Sequence, residues 1–145
     1  MDGWKVPLFL LHPMAVHFPI ALLVLGLLGG LLAQTGRAPD WVDRALPWIL
    51  GLGIAALWAT LGLGLLAEHT APHVPPAWRT MAEHQRDAWA TAWTFTALGL
   101  AWAWANGRAR PWLLAGWALG LVLLVLTAHL GAQLVYVYGL GSLQP

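Results

Sequence analysis

No cysteine occurs anywhere in the chain. That absence removes disulfides, thiolate-held metals, iron–sulfur clusters and covalent c-type haem attachment together, and it leaves the redox compartment open. Charge is nearly as scarce. Only 9% of the residues are Asp, Glu, Lys or Arg, and 59% are hydrophobic. A soluble chain carries about a quarter charged residues. A globule of 145 residues cannot cover itself with so few charges, so the composition is that of an integral membrane protein built as a single domain, 1–145. The net charge of +1 gives no basic footprint for nucleic acid. A cleavable leader is also not expected. Lys5 is the only positive charge ahead of the first apolar run, that run is too long, and no clear small-residue cleavage site precedes the next polar segment.

What is present is a set of long uncharged runs. The first is HPMAVHFPIALLVLGLLGG, residues 12–30, with Pro13 and Pro19 in its opening turns. Proline is tolerated there because the N–H it lacks has no intrahelical partner. Runs of about 17 to 25 apolar residues suffice to cross a bilayer core. The expected spans are residues 13–34, 45–67, 88–105 and 111–132. Between them lie TGRAPDWVDR, the proline- and histidine-rich EHTAPHVPPAWRTMAEHQRD, and the short NGRAR, after which Pro111 suits a first helical turn. The fold expected is therefore an all-α, up-down-up-down four-helix membrane bundle. Gly26 and Gly30, and Gly116 and Gly120, have small-xxx-small spacing that permits close helix approach.

That topology sorts the six histidines. Let side A be the side of the N-terminus. His12 and His17 open the first span, His69 and His73 follow the second, His84 precedes the third, and His129 comes near the end of the fourth. All six fall at side A. His129 is 18 residues beyond Pro111, hence roughly 27 Å along its helix at ~1.5 Å per residue. Side B carries Arg37, Arg44, Arg108 and Arg110, against Lys5, Arg79 and Arg86 on side A. The positive-inside rule then makes side B cytoplasmic and puts both termini on the periplasmic face of a bacterial inner membrane.

Neutral imidazole is the commonest transition-metal ligand, and facing helices of a bundle are where cofactors are held. With no cysteine and no membrane-embedded carboxylate, haem b fits the donor set, as one group or two. Its macrocycle is apolar, its iron takes axial imidazoles, and its propionates can reach a polar edge. His17 and His129 are the first expected iron ligands, because both sit within apolar sequence where a lone imidazole is costly. His84 and His12 come next, as ligands of a second haem or as hydrogen-bond partners. Arg79 and Arg86 are candidates for propionate pairing, against a reading as solvated loop charges. His69 and His73 read as loop residues, and Met14 as packing rather than a soft ligand. Trp41, Trp48, Trp102, Trp104 and Trp112 form an expected interfacial belt at side B. Trp89 and Trp93 read as lipid-facing or core residues rather than a cofactor wall.

HPMAVHFPIALL at the start, EHQRDAW before the third span and AHLGAQLVYVYG at the end resemble a family of small bacterial four-helix membrane proteins of unknown function. That family opens with HPxxVHFPIAL and closes with a GHLGGxLVYxHG-like motif. The resemblance covers nearly the whole chain and matches His12, His17, His84 and His129. Ala128 and Ala132 stand where the family tends to have glycine, and Tyr138 where it often has histidine. Some members look like fusions or neighbours of c-type cytochrome domains, which implies membrane electron transfer. The expected function is thus a b-type cytochrome exchanging electrons with a cytochrome c or another periplasmic redox partner, an electron-transfer protein rather more than a stand-alone enzyme, with the enzyme question left open. Two alternatives stay open: a histidine-held copper or iron protein, and a cofactor-free anchor subunit of a redox complex. Lipid is the expected surrounding, and a homodimer is compatible with the small-residue faces.

Overall fold

A computed structural model describes residues 7–106 and 108–140. Lys5, counted above among the side-A charges, lies outside the described residues. After a single 3-10 turn, Leu8–Leu10, come five helices: α1 (Leu11–Ala15), α2 (His17–Gln34), α3 (Asp40–Thr70), α4 (Trp78–Trp104) and α5 (Pro111–Tyr136). No strand occurs among the described residues. The chain is an all-α helical bundle, with α1 and α2 forming one interrupted arm.

Each boundary has a local cause. The break between α1 and α2 falls at Val16. Pro19 has no N–H for the carbonyl four residues back, at Ala15, so the ladder loses a bond there. Pro39 stands in extended conformation ahead of α3, and Asp40 and Asp43 occupy its first turn, where the helix dipole favours negative charge. Asn106, at φ 58°, ends α4 in the left-handed conformation that asparagine tolerates, and Pro111 opens α5. The helix α5 closes on Gly139 (φ 71°), with the Leu140 N–H donating to the Leu134 carbonyl at 2.9 Å. Donor and acceptor are six positions apart, one more than in a Schellman closure, so the end of α5 is wound wider than that motif.

Three segments are long and apolar enough to cross a membrane: Leu8–Gln34, Asp40–Thr70 and Pro111–Tyr136. Helix α4 has 27 residues and the length for it, but its first turns hold Arg79, Glu83, Arg86 and Asp87, and its second half is rich in Trp and Thr. All four arms run beyond the expected spans, because the polar ends stay helical past the apolar stretches. Packing is most extensive within two hairpins, α2 with α3 and α4 with α5. The Gln34 amide donates to the Ala109 carbonyl at 2.9 Å and ties the side-B ends together.

The two hairpins repeat each other. A shift of 72 residues carries His12 onto His84 and Leu23 onto Phe95. A shift of 67 residues carries Leu46, Leu50, Gly53, Leu57, Thr60 and Gly64 onto Leu113, Trp117, Gly120, Leu124, Thr127 and Gly131. The contacts repeat with them. A Cβ on Gly53 would meet Leu23 Cδ2 at 2.6 Å, and one on Gly120 would meet Phe95 Cζ at 2.9 Å. The bundle thus has a pseudo-twofold axis parallel to its helices, with Leu23, Phe95 and Trp117 fully buried around it. Gly26 and Gly30 receive Trp117 and Leu114, so their spacing serves side-chain insertion. Trp102 departs from the expected belt: it is 2% exposed and packs edge to face on Trp117 at 5.6 Å. Trp41, Trp48, Trp104 and Trp112 are exposed as expected of such a belt.

Candidate functional site

At the side-A end His12 and His84 come together across the bundle and line one cavity. His12 comes from α1 and His84 from the second turn of α4, and both are half-buried. Their ring centroids lie 6.1 Å apart and their planes are inclined at 81°. Each ring is held the same way. His12 Nδ1 is 2.9 Å from the Thr60 carbonyl oxygen on α3, and His84 Nδ1 is 2.9 Å from the Thr127 carbonyl oxygen on α5. A carbonyl oxygen only accepts, so Nδ1 must carry the proton in both rings. The neutral imidazoles then hold their free lone pairs on Nε2. A metal-ligating histidine commonly has this arrangement, donating its other N–H to a backbone carbonyl.

Two glycines make the approach possible. In a helix the carbonyl of residue i points towards residue i+4, and here that residue is Gly64 for Thr60 and Gly131 for Thr127. A Cβ on Gly64 would stand 3.1 Å from both Cε1 and Nδ1 of His12, and one on Gly131 would stand 3.1 Å from His84 Cε1. Behind this shell, the Thr127 hydroxyl donates to the Leu123 carbonyl at 2.8 Å and lies 3.1 Å from the Thr91 hydroxyl, which donates to the Asp87 carbonyl. The pair borders a cavity of about 70 Å³ whose other walls include Val16, Ile20, Leu57, Leu61 and Leu124. Apart from the histidines and three threonines, the lining is apolar.

The other expected site residues go elsewhere. His17 and His129 are exposed on the outer surface of α2 and α5, and neither borders the cavity. His17 follows His12 by five residues and His129 follows Thr127 by two, which turns them about 140° and 200° round a helix of 3.6 residues per turn. His129 Nε2 lies 3.0 Å from the Gln133 amide on the same helix. His69 lies in the last turn of α3, and His73 packs edge to face on Trp78 at 5.0 Å. Met14 is exposed. Arg79 is paired with Glu83 at 3.0 Å and Arg86 with Asp87 at 2.8 Å, so both guanidiniums already have carboxylate partners. Trp89 and Trp93 pack edge to face on Trp58, whose indole N–H donates to the Thr96 hydroxyl at 3.0 Å.

Thr60, Gly64, Thr127 and Gly131 are site residues that the sequence reading did not single out. The available signal was the twice-repeated threonine followed four residues later by glycine. Among the described residues no group of three or more His, Asp or Glu side chains comes together. The site is therefore a two-imidazole site. It can offer two nitrogen lone pairs in apolar surroundings at one end of a helical bundle.

No curated protein and no solved structure matches the chain. A family model does match, over residues 9–144, which takes in both hairpins and both histidines of the pair. The chain belongs to that family, described as predicted membrane protein DUF2231.

Proposed function

We propose that this protein is a membrane b-type cytochrome in which His12 and His84 are the axial ligands of one haem b, and that it passes single electrons at the periplasmic face of a bacterial inner membrane. One observation carries the reading: two carbonyl-tethered imidazoles from opposite arms of the bundle have their ring centroids 6.1 Å apart. Two rings sharing an ion through metal–nitrogen bonds of ~2.0–2.1 Å would have centroids about 6 Å apart. The coordination count supports haem over a bare ion. Catalytic zinc and non-haem iron sites take three protein ligands or more, and no third such residue joins this pair among the described residues. A porphyrin brings four equatorial nitrogens and needs two axial donors from the protein.

A porphyrin is larger than a cavity of about 70 Å³, so loading it requires the hairpins to part along their seam. That seam is the weaker plane of the bundle, because packing is denser within each hairpin than between them. The small cavity also favours a second reading, a single cuprous ion held linearly by the two imidazoles, since imidazole suits copper as well as iron. The arginine balance between the two ends supports the periplasmic placement. A periplasmic cytochrome c is the partner that the family resemblance suggests.

The test is the visible spectrum and metal content of detergent-purified protein expressed with haem supply. A Soret band that sharpens on dithionite reduction, with one haem per chain by pyridine haemochrome, is the expected result. Stoichiometric copper in a colourless protein selects the second reading. A protein holding neither overturns both.

A further inference from the structure

We infer that the side-B end of the bundle is a binding surface for anionic phospholipid, whose headgroup phosphate is taken by arginines of both hairpins while exposed indoles cover the region just below it. The inference is independent of what the histidine pair holds.

The two ends of the bundle treat their arginines differently. At side A, Arg79 and Arg86 are paired with Glu83 and Asp87. At side B, Arg37, Arg44, Arg108 and Arg110 are exposed, and none has a carboxylate partner among the described residues. Asp40 precedes Arg44 by four residues, the spacing of an ion pair along a helix, yet the pair does not form. Asp40 and Asp43 occupy the first turn of α3 instead, where the helix dipole favours them. Four arginines against two aspartates leave this end positive.

The fold brings these charges together from opposite halves. The Ala109 carbonyl that accepts from the Gln34 amide at 2.9 Å lies between Arg108 and Arg110, and Arg37 follows Gln34 by three residues. Two loops far apart in sequence thus meet at one hydrogen bond, each carrying guanidinium. Arg110 is also the N-cap residue of α5, a helix with no acidic residue in its first turn, and a cation there opposes the dipole. Gathered like charges repel, and an anion bound among them relieves the repulsion.

The aromatic setting selects a lipid over a free phosphate. Trp41, Arg44 and Trp48 are spaced i, i+3 and i+7, so they share one face of α3. That face is turned away from the one bearing buried Val42, Leu46 and Leu50. Arg44 is bracketed by two exposed indoles on the outside of the bundle, and Trp104, at the end of α4, is exposed at the same end. Indoles settle at headgroup level, and guanidinium grips phosphate oxygens with its planar fork. Inorganic phosphate would neutralise the arginines and leave Trp48 and Trp104, 75% and 80% exposed, in water. A phospholipid satisfies both.

The test is thermal unfolding of the full chain in detergent micelles doped with phosphatidylglycerol or phosphatidylcholine, or supplied with inorganic phosphate at matched ionic strength. A ligand of the folded state raises the unfolding midpoint in proportion to its occupancy. One basic residue at a membrane surface favours anionic lipid by about fivefold, so half the maximal rise should need at most about a fifth as much phosphatidylglycerol as phosphatidylcholine. The preference should shrink at high salt. It should vanish in a variant with Arg37, Arg44, Arg108 and Arg110 all replaced by Gln, and persist when Arg79 and Arg86 are replaced by Gln. Equal response of the wild type to the two lipids overturns the inference, whether or not the variants fold. So does a preference that high salt leaves untouched, or one that survives the fourfold replacement or is lost with the side-A pair. A rise with inorganic phosphate as large as with phosphatidylglycerol assigns the arginines to a free anion and overturns it too.

Discussion

The two hairpins hold their histidines identically and surround them differently. His12 lies in LLHPMAV, with no charged neighbour in its turn of helix, while His84 lies in AEHQRDA, between Glu83 and Asp87. The carbonyl tether, the flanking glycine, the buried leucine one turn before the threonine and the glycine that admits Leu23 or Phe95 recur in both. What recurs is what places a ring; what differs is what faces water. The duplicated scaffold sets the geometry of the pair, and the ends of the arms set its electrical environment.

The sharpest way to break the comparison is to remove one ring from each half. His12→Ala and His84→Ala should each abolish the low-spin spectrum of haem-loaded protein, because a six-coordinate centre needs both. His17→Ala and His129→Ala should leave it unchanged, since both rings are exposed on the outside of the bundle. Optical spectra of the four variants at matched protein concentration decide the matter. Loss of the spectrum with His17→Ala or His129→Ala, and its survival with the other two, would move the site to the outer surface.

Packing at the axis comes next in size. Gly53→Ala and Gly120→Ala push a methyl group against Leu23 and Phe95, both wholly buried. Overpacking of this sort costs about 1–3 kcal/mol. If the halves are equivalent, both variants should lower the unfolding midpoint in detergent by similar amounts, whereas Gly51→Ala, whose Cβ would meet nothing within 4 Å, should not. A large disparity between the first two would mean that the repeat is one of sequence and not of load.

Much of this arrangement was legible in the chain and some was not, for physical reasons. Uncharged runs give helices, and short polar connections give their alternation, so the bundle and the gathering of histidines at one end follow from the sequence. The depth of a residue along a helix follows too. Its azimuth does not, because an arm that is apolar all round has no polar face to orient it. His17 and His129 were favoured on depth, and both turn outward. His12 lies in a short helix ahead of a proline-induced break, where it looked external, yet that break belongs to the turns that bring it to the axis. The cradles were invisible for another reason. Their working group is a backbone carbonyl, which every residue has, and only the repeated Thr60–Gly64 and Thr127–Gly131 spacing distinguishes the two that are used.

A smaller contrast lies within the core, at the crossed indoles. The Trp117 N–H donates to the Leu23 carbonyl at 2.9 Å, whereas the buried Trp102 N–H has no partner among the described residues. A buried hydrogen bond contributes about 0.5–1.5 kcal/mol, and an unmade one costs the donor its desolvation. Replacement by phenylalanine removes similar volume at both places. Trp117→Phe should therefore destabilise by about 1 kcal/mol more than Trp102→Phe, measured as the difference in detergent unfolding free energy. Equal losses would show that packing alone sets the value of these two rings.

The least expected effect tests the electrical difference between the halves. Asp87 is three residues beyond His84, hence on the same side of α4, and its carboxylate is already paired with Arg86 at 2.8 Å. Oxidation of a haem centre adds one positive charge, which a nearby carboxylate stabilises. Asp87→Asn removes that stabilisation and should raise the midpoint potential. The Arg86 partner and the aqueous edge screen most of the field, so the rise should stay below the ~59 mV that a tenfold change represents for a one-electron couple. The first half has no counterpart: Ala15, at the equivalent position beyond His12, is uncharged. A potentiometric titration of Asp87→Asn against wild type checks both sign and size. A fall in potential would mean that the centre does not lie beside Asp87, because loss of the carboxylate and release of the Arg86 cation would both raise it.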